Sequence, residues 1–237
     1  MNTKLREVQK KVLRVFAANA TDFALAGGTA LELYYLHHRF SADLDFFSKK
    51  YKTEEIKDLI TAFQKTMNAK IRLETQCVAA GRAAVRFYTI PIKGLSRPLK
   101  IDFIEDVYFE KPDIRKIEGV RVYSAENIYL QKIIAIAGIE QKLDEIGRPI
   151  LGGRKEARDV FDVCMLSQRI EPLHSFLNTL SRPLQRGMIH WYRTFSRHDV
   201  RLALMDLDIY DKQFDTGKMI AYLEHEIQQF TKKVIQE

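Results

Sequence analysis

The sequence predicts an α+β fold, with strands and helices mixed at first and helices alone towards the C-terminus. Three observations predict it. Residues 24–47, A-L-A-G-G-T-A-L-E-L-Y-Y-L-H-H-R-F-S-A-D-L-D-F-F, read as strand, glycine turn, helix and strand. From Lys70 the apolar period changes to two, the period of a strand. Beyond Ile170 the pattern is helical throughout.

Leu5, Val8, Val12, Leu13 and Phe16 recur at helical spacing, so the chain opens with an amphipathic helix. Residues 19–22 break it, and the apolar strand 23–26 follows. The strand runs into Gly27-Gly28-Thr29. Glycines there can take positive φ and let backbone approach a ligand. The free N–H groups of the first helical turn then face an anion. An ordinary strand–turn–helix is the plain alternative. His37 and His38 end the short helix and read as capping or surface residues. Arg39 could hold a phosphate, orient a carboxylate or lie at the surface.

Asp43-Leu44-Asp45 enters the next strand. Alternation points both aspartates one way and Leu44 the other. Two carboxylates at that spacing repel unless a cation lies between them. Mg²⁺ suits a few carboxylates plus substrate phosphates. A solvated edge strand is the alternative, weakened because Leu44, Phe46 and Phe47 mark a buried strand, where carboxylates need partners.

Ile56, Leu59, Ile60, Phe63 and Met67 form a second amphipathic helix with Thr53 as a possible N-cap. Ile71, Leu73, Thr75 and Cys77 alternate with polar residues. A turn at 79–82 and a returning strand at 83–92 complete a hairpin. Residues 99–104 are a third strand carrying Asp102, able to join the D-x-D pair or to take a proton from an attacking hydroxyl. Solvation at a strand end is its alternative. Residues 120–123 read as the last strand, and Ser124 caps an apolar helix. Lys132 lies among Ile128 and Ile136 on that helix, where it snorkels or meets an anion.

Residues 140–156 read as a flexible glycine-containing loop. Asp159 and Asp162 then share a helix face at i, i+3, able to hold Lys132 or Arg158 or to contact a nucleotide. Arg182, Arg186, Arg193, Arg197 and Arg201 fall at helical spacings beside His190, Trp191 and Tyr192, a basic stripe open to RNA. A capping box at Ser196-x-x-Asp199 would divide that stripe.

The 237 residues suffice for one large domain or two small ones. Hydrophobic residues make up 46% and charged ones 29%, an ordinary globular mixture. No apolar run approaches the roughly 20 residues that span a bilayer, and no signal peptide opens the chain. Cys77 and Cys164 read as buried thiols rather than a disulfide. A cytoplasmic protein is expected. The net charge of +7 favours an anionic partner, nucleotide or nucleic acid first.

The order G-G-T, thirteen residues, D-x-D and a later strand aspartate resembles the DNA polymerase β-type nucleotidyltransferase superfamily. Within it, L-A-G-G-T-A-L, H-R-F-S-A-D-L-D-F-F, the helical Lys132 and R-D-V-F-D are similar to the AbiEii/AbiGii toxin-type nucleotidyltransferases. The resemblance implies a polymerase β-like core at 1–123, a small mixed sheet flanked by helices. It implies a helical domain at 124–237 that contributes to the nucleotide pocket. By position, Gly27, Gly28 and Thr29 would cradle the triphosphate, with Arg39 and Ser41 in a matching block beside them. Asp43, Asp45 and Asp102 would hold Mg²⁺ in a two-metal site, Lys132 would bind phosphate, and Asp159 falls where such proteins often have an essential acid. Family members commonly act as toxins of toxin–antitoxin or phage-defence pairs, so a cognate antitoxin protein is an implied partner. The expectation is an NTP-dependent enzyme that moves NMP to an acceptor hydroxyl on RNA or tRNA. Protein nucleotidylation and a non-catalytic RNA- or partner-binding protein stay open.

Overall fold

The computed structural model describes residues 3–78, 83–138, 142–143, 149–150, 153–154 and 156–236. The chain divides into two compact units: Met1–Tyr35 with Phe40–Asn127, and Leu36–Arg39 with Ile128–Glu237.

The first unit opens with α1 (Thr3–Asn19), which buries Leu5, Val12, Leu13 and Phe16 along one face. Strand β1 (Ala24–Ala26) leads through the glycine turn into α2 (Gly27–Ala30), which widens at once into a π-helical stretch, Leu31–Leu36. Then come β2 (Leu44–Ser48), α3 (Thr53–Met67), β3 (Arg72–Cys77), β4 (Val85–Ile90), β5 (Leu99–Glu105), β6 (Ile114–Ile117) and β7 (Val120–Tyr123). They form a seven-stranded sheet in the order β3-β4-β5-β2-β1-β7-β6. It is mixed: β2 pairs parallel to β5 and β1 parallel to β7, while β1 and β2 are antiparallel.

Alternation on the central strands decides which side is core. Leu44, Phe46, Ile101 and Phe103 are fully buried, and Asp45, Phe47, Asp102 and Ile104 are half-buried between them. Phe16 of α1 stacks on Phe46 at 4.1 Å, and Phe23 meets Phe103 edge-on at 5.2 Å. Helix α1 covers the apolar side and packs against α3. The carboxylates stand on the other side.

The second unit is built from α4 (Ala125–Ala137) from Ile128 on, a short antiparallel pair β8 (Lys142–Leu143) and β9 (Pro149–Ile150), α5 (Ala157–Arg169), α6 (Leu173–Asn178), α7 (Arg182–Thr194), α8 (Arg197–Met205) and α9 (Thr216–Gln236). Tyr129 stacks on Phe176 and Trp191 on Phe195. A Cβ at Gly187 would lie 2.8 Å from that of Ala137, so a glycine is what lets α7 approach α4 so closely.

The expected mixed sheet, flanking helices and helical C-terminal part are present. Ser124 Oγ accepts from the Asn127 N–H as an N-cap. Ser196 accepts from the Asp199 N–H, so α8 begins there and the arginine stripe is divided between two helices. Several expectations need correcting. Thr53 is the first helical residue of α3, and Lys52 holds the cap position with no side-chain capping bond. Strand β3 is exposed along most of its length, because it is the sheet's edge and buries neither alternating row. Strand β6 was not expected; it pairs with β7 through a tight turn at Glu118 and Gly119, both at positive φ. The expected loop at 140–156 contains β8 and β9, and most of its other residues, like the hairpin turn at 79–82, lie outside the described ones. Cys164 is buried and Cys77 half-buried. Among the described residues no helix is long and apolar enough to cross a membrane.

Candidate active site

In the first unit, sheet register gathers the acids. Asp45 and Asp102 are direct partners across the parallel β2–β5 pair, and Ala26 partners Asp45 on its other flank. The next residue, Gly27, has φ +67°, and a Cβ there would lie 2.2 Å from Asp45 Oδ2. Any side chain at position 27 would displace the carboxylate. Asp43 stands one residue before β2, and burial alternates unbroken through Asp43, Leu44, Asp45 and Phe46. The guanidinium of Arg97 lies 3.3 Å from Asp43 Oδ1.

The backbone entering β2 is held by side chains from two helices. Gln9 Nε2 donates to the carbonyls of Ser41 at 3.0 Å and Ala42 at 2.9 Å. The Ser41 N–H donates to Glu32 Oε2 at 2.8 Å. Thr29 Oγ1 donates to the Asp43 carbonyl. Glu32 is buried, and its charge is met by Arg6, whose guanidinium also lies over the Phe40 ring. Gln9, Thr29 and Glu32 thus fix three consecutive residues leading to Asp45. Thr29 is fully buried with its hydroxyl turned to Asp43, and Gly28 is buried in the same turn. Ser41 is positioned through its backbone.

In the second unit, Asp162 is the hub. Arg39 donates to both its oxygens at 2.7 Å, His38 Nε2 lies 2.8 Å from Oδ1, and Lys132 Nζ lies 2.8 Å from Oδ2. Lys132 also hydrogen-bonds Asp159, one turn earlier on α5. Arg154 Nε stands 3.9 Å from the other Asp159 oxygen. Buried Arg39 and Lys132, with exposed Arg154 more distant, thus meet two carboxylates, the arrangement a buried charge cluster requires. Burial pushes the Asp162 carboxyl up, but Lys132 and Arg39 outweigh it and hold it well below the ordinary carboxylate value. Burial likewise lowers Lys132, while Asp162 and Asp159 more than restore it. Burial holds His38 below its ordinary value, opposed by Asp162. An ionised Asp162 only accepts, so neutral His38 carries its hydrogen on Nε2.

Each expected residue therefore has a place. Gly27, Gly28, Thr29, Ser41, Asp43, Asp45 and Asp102 belong to the first unit, and Arg39, Lys132 and Asp159 to the second. The suggestion that the α5 acids hold Lys132 is met; Arg39 orients a carboxylate, Asp162. His38 is buried in this cluster rather than at the surface, and His37 is exposed with φ +47° at the helix end. Sequence reasoning did not find Arg6, Gln9 and Glu32, whose partners lie 9 to 33 residues away.

Among the described residues no group of three or more His, Cys, Asp or Glu side chains is gathered as a metal cluster. The donor chemistry nonetheless fits a hard cation. Asp43, Asp45 and Asp102 offer only oxygens, and the register sets two of them side by side.

A family model described as nucleotidyl transferase AbiEii toxin, type IV TA system, matches residues 11–233. The chain belongs to this family. AbiEii membership makes it a nucleotidyltransferase, and the match spans the glycine turn, the three aspartates, Lys132 and Asp159. The AbiEii chain is also similar to solved structures. JHP933 from Helicobacter pylori shares 19% identity over 100% of this chain and 95% of its own, with a TM-score of 0.61. A second H. pylori structure, a nucleotidyltransferase by provisional assignment, shares 19% over 98% and 95%, also at 0.61. At that identity the likeness is one of fold. No curated protein matches the chain.

Proposed function

We propose that this AbiEii protein transfers NMP from an NTP to a hydroxyl on RNA with Mg²⁺, acting as the toxin of a toxin–antitoxin pair. One observation carries the reading: Asp45 lies beside Asp102 across parallel strands, with a glycine turn closed against Asp45. In this reading Asp43, Asp45 and Asp102 would hold Mg²⁺. When bound, the metal supplies positive charge to the phosphates and acidifies the acceptor hydroxyl. The N–H groups of the Gly27–Ala30 turn bind the β- and γ-phosphates. Asp102 accepts the hydroxyl proton as that oxygen bonds to the α-phosphorus and the diphosphate leaves. Lys132, which the resemblance assigns to phosphate, is held by Asp159 and Asp162 within the helical unit. The charge of +7 favours RNA as the acceptor. Family membership supports a cognate antitoxin.

The test is labelled NTP with Mg²⁺ and total cellular RNA, wild type against Asp43→Ala. Label on RNA from wild type alone is the expected result. Equal labelling by Asp43→Ala would sink the site assignment. Label on a protein band would move the acceptor to protein, and NTP binding without turnover would leave a binding protein.

A further inference from the structure

We propose that a basic furrow between α1 and the β6–β7 hairpin grips the phosphate backbone of the RNA acceptor, away from the reacting hydroxyl. The inference rests on the RNA reading above. One part of the furrow, about 520 Å³, is lined by Lys10, Arg14 and Ala17 of α1, Tyr34, and Glu118 of the hairpin turn. A second part, about 380 Å³, begins at the same Ala17 and continues past Arg115, Lys116 and Arg121. The two meet where Gly119 faces Ala17; a Cβ on that glycine would lie 3.8 Å from the alanine's.

Topology puts this furrow far from the acids. Strand β1 runs towards Gly27, and β7 runs parallel to it with Val122 beside Leu25. Strand β7 therefore ends on the Gly27 side of the sheet, and its first residues, after the Glu118–Gly119 turn, lie at the other end. An acceptor that reaches both places extends well past one nucleotide.

The lining chemistry suits nucleic acid. Five cationic side chains face one carboxylate, that of Glu118. Lys10 and Arg14 sit one turn apart on one face of α1 and are exposed, as is Lys116 in the second part of the furrow. Arg115 is held loosely, 3.4 Å from Asp113 and 3.3 Å from Glu126. Arg121 donates to the Phe23 carbonyl at 3.2 Å. Tyr34 is half-buried on the wall, and burial with Glu118 pushes its phenol up to about 12, so it keeps its proton. Cations in both parts of the furrow, from α1 in the first and from the hairpin in the second, and one aromatic ring match the phosphates and bases of a strand better than the carboxylates of an acidic peptide.

The test compares wild type with Lys10→Glu/Arg14→Glu/Lys116→Glu on two acceptors, a tRNA-length RNA and a short oligonucleotide with the same 3′ end. We expect KM for the long RNA to rise at least tenfold, with kcat and short-oligonucleotide labelling unchanged. The salt slope of RNA binding should fall by about one for each phosphate that the variant no longer neutralises. Equal KM for the long RNA overturns the furrow. So does an equal rise for both acceptors, which would report the general field alone. If wild type labels no RNA, the RNA reading fails and the furrow with it. If the variant instead loses labelling of an acidic protein, the surface is a protein dock and the proposal is wrong. Should the reversals lower Tm, Lys10→Gln/Arg14→Gln/Lys116→Gln gives the same readout with a smaller expected rise.

Discussion

Asp45 and Asp102 stand on neighbouring strands, half-buried, next to a glycine turn. Asp159 and Asp162 stand one turn apart on α5, almost wholly buried, against Lys132 and Arg39. The pairs are chemically alike and physically opposite. A carboxylate sealed against its own cations is part of the fold, since its removal leaves charge stranded away from water. A half-buried strand pair can lose a charge with little harm to packing, and its value lies in what it binds. Substitution should therefore separate the two units by readout, stability in one and turnover in the other.

The largest effect is expected at the hub. Asp162→Ala takes the shared carboxylate from buried Arg39 and Lys132 and leaves Lys132 to Asp159, which costs roughly 3–5 kcal/mol. Urea unfolding measures it, and a wild-type midpoint with reduced turnover would erase the contrast between the units. Asp45→Asn keeps the shape but not the charge. Turnover should drop about 10²–10³-fold, the scale of losing one group that stabilises transition-state charge, with the urea midpoint close to wild type.

Gln9→Ala tests whether the strand acids depend on their approach. It removes two hydrogen bonds to backbone carbonyls, roughly 1–2 kcal/mol of stability at about 1 kcal/mol each. We expect kcat to fall about tenfold with KM for NTP unchanged, on the scale by which supporting groups tune a metal site. An unchanged kcat would mean the clamp serves folding alone. The smallest effect concerns pH. His38 is held below its ordinary value of 6.5, so the unfolded chain takes up that proton first as pH falls. Its contribution to stability is complete above pH 6.5 and declines as pH falls through the folded value. His38→Gln should flatten the stability profile below pH 6.5; an unaltered slope there would show that His38 does not titrate between the two states.

The parts of this design that were legible in the sequence are those written in short spacings. G-G-T, D-x-D and Asp159-x-x-Asp162 each lie within a single short run of chain. That Asp102 could join the D-x-D pair was legible because each strand announced itself through apolar neighbours; that it lies directly beside Asp45 was not. What stayed hidden depends on long-range closure. Gln9 looks like any polar residue on α1 until Ser41 and Ala42 arrive at its amide. His38 and Asp162, 124 residues apart, carry no mutual signal. Strand β6, I-R-K-I, is too short and too charged to announce itself.

The π-helical stretch ends where the chain leaves the first unit, and residues Leu36–Arg39 belong to the second before Phe40 returns. That short excursion has an evolutionary cost. The helical unit cannot be inherited as a cassette encoded from residue 128 onwards, because such a fragment lacks His38 and Arg39 and leaves Asp162 with one of its donors. Recombination that swaps C-terminal halves between relatives must preserve a four-residue passage encoded almost a hundred codons upstream.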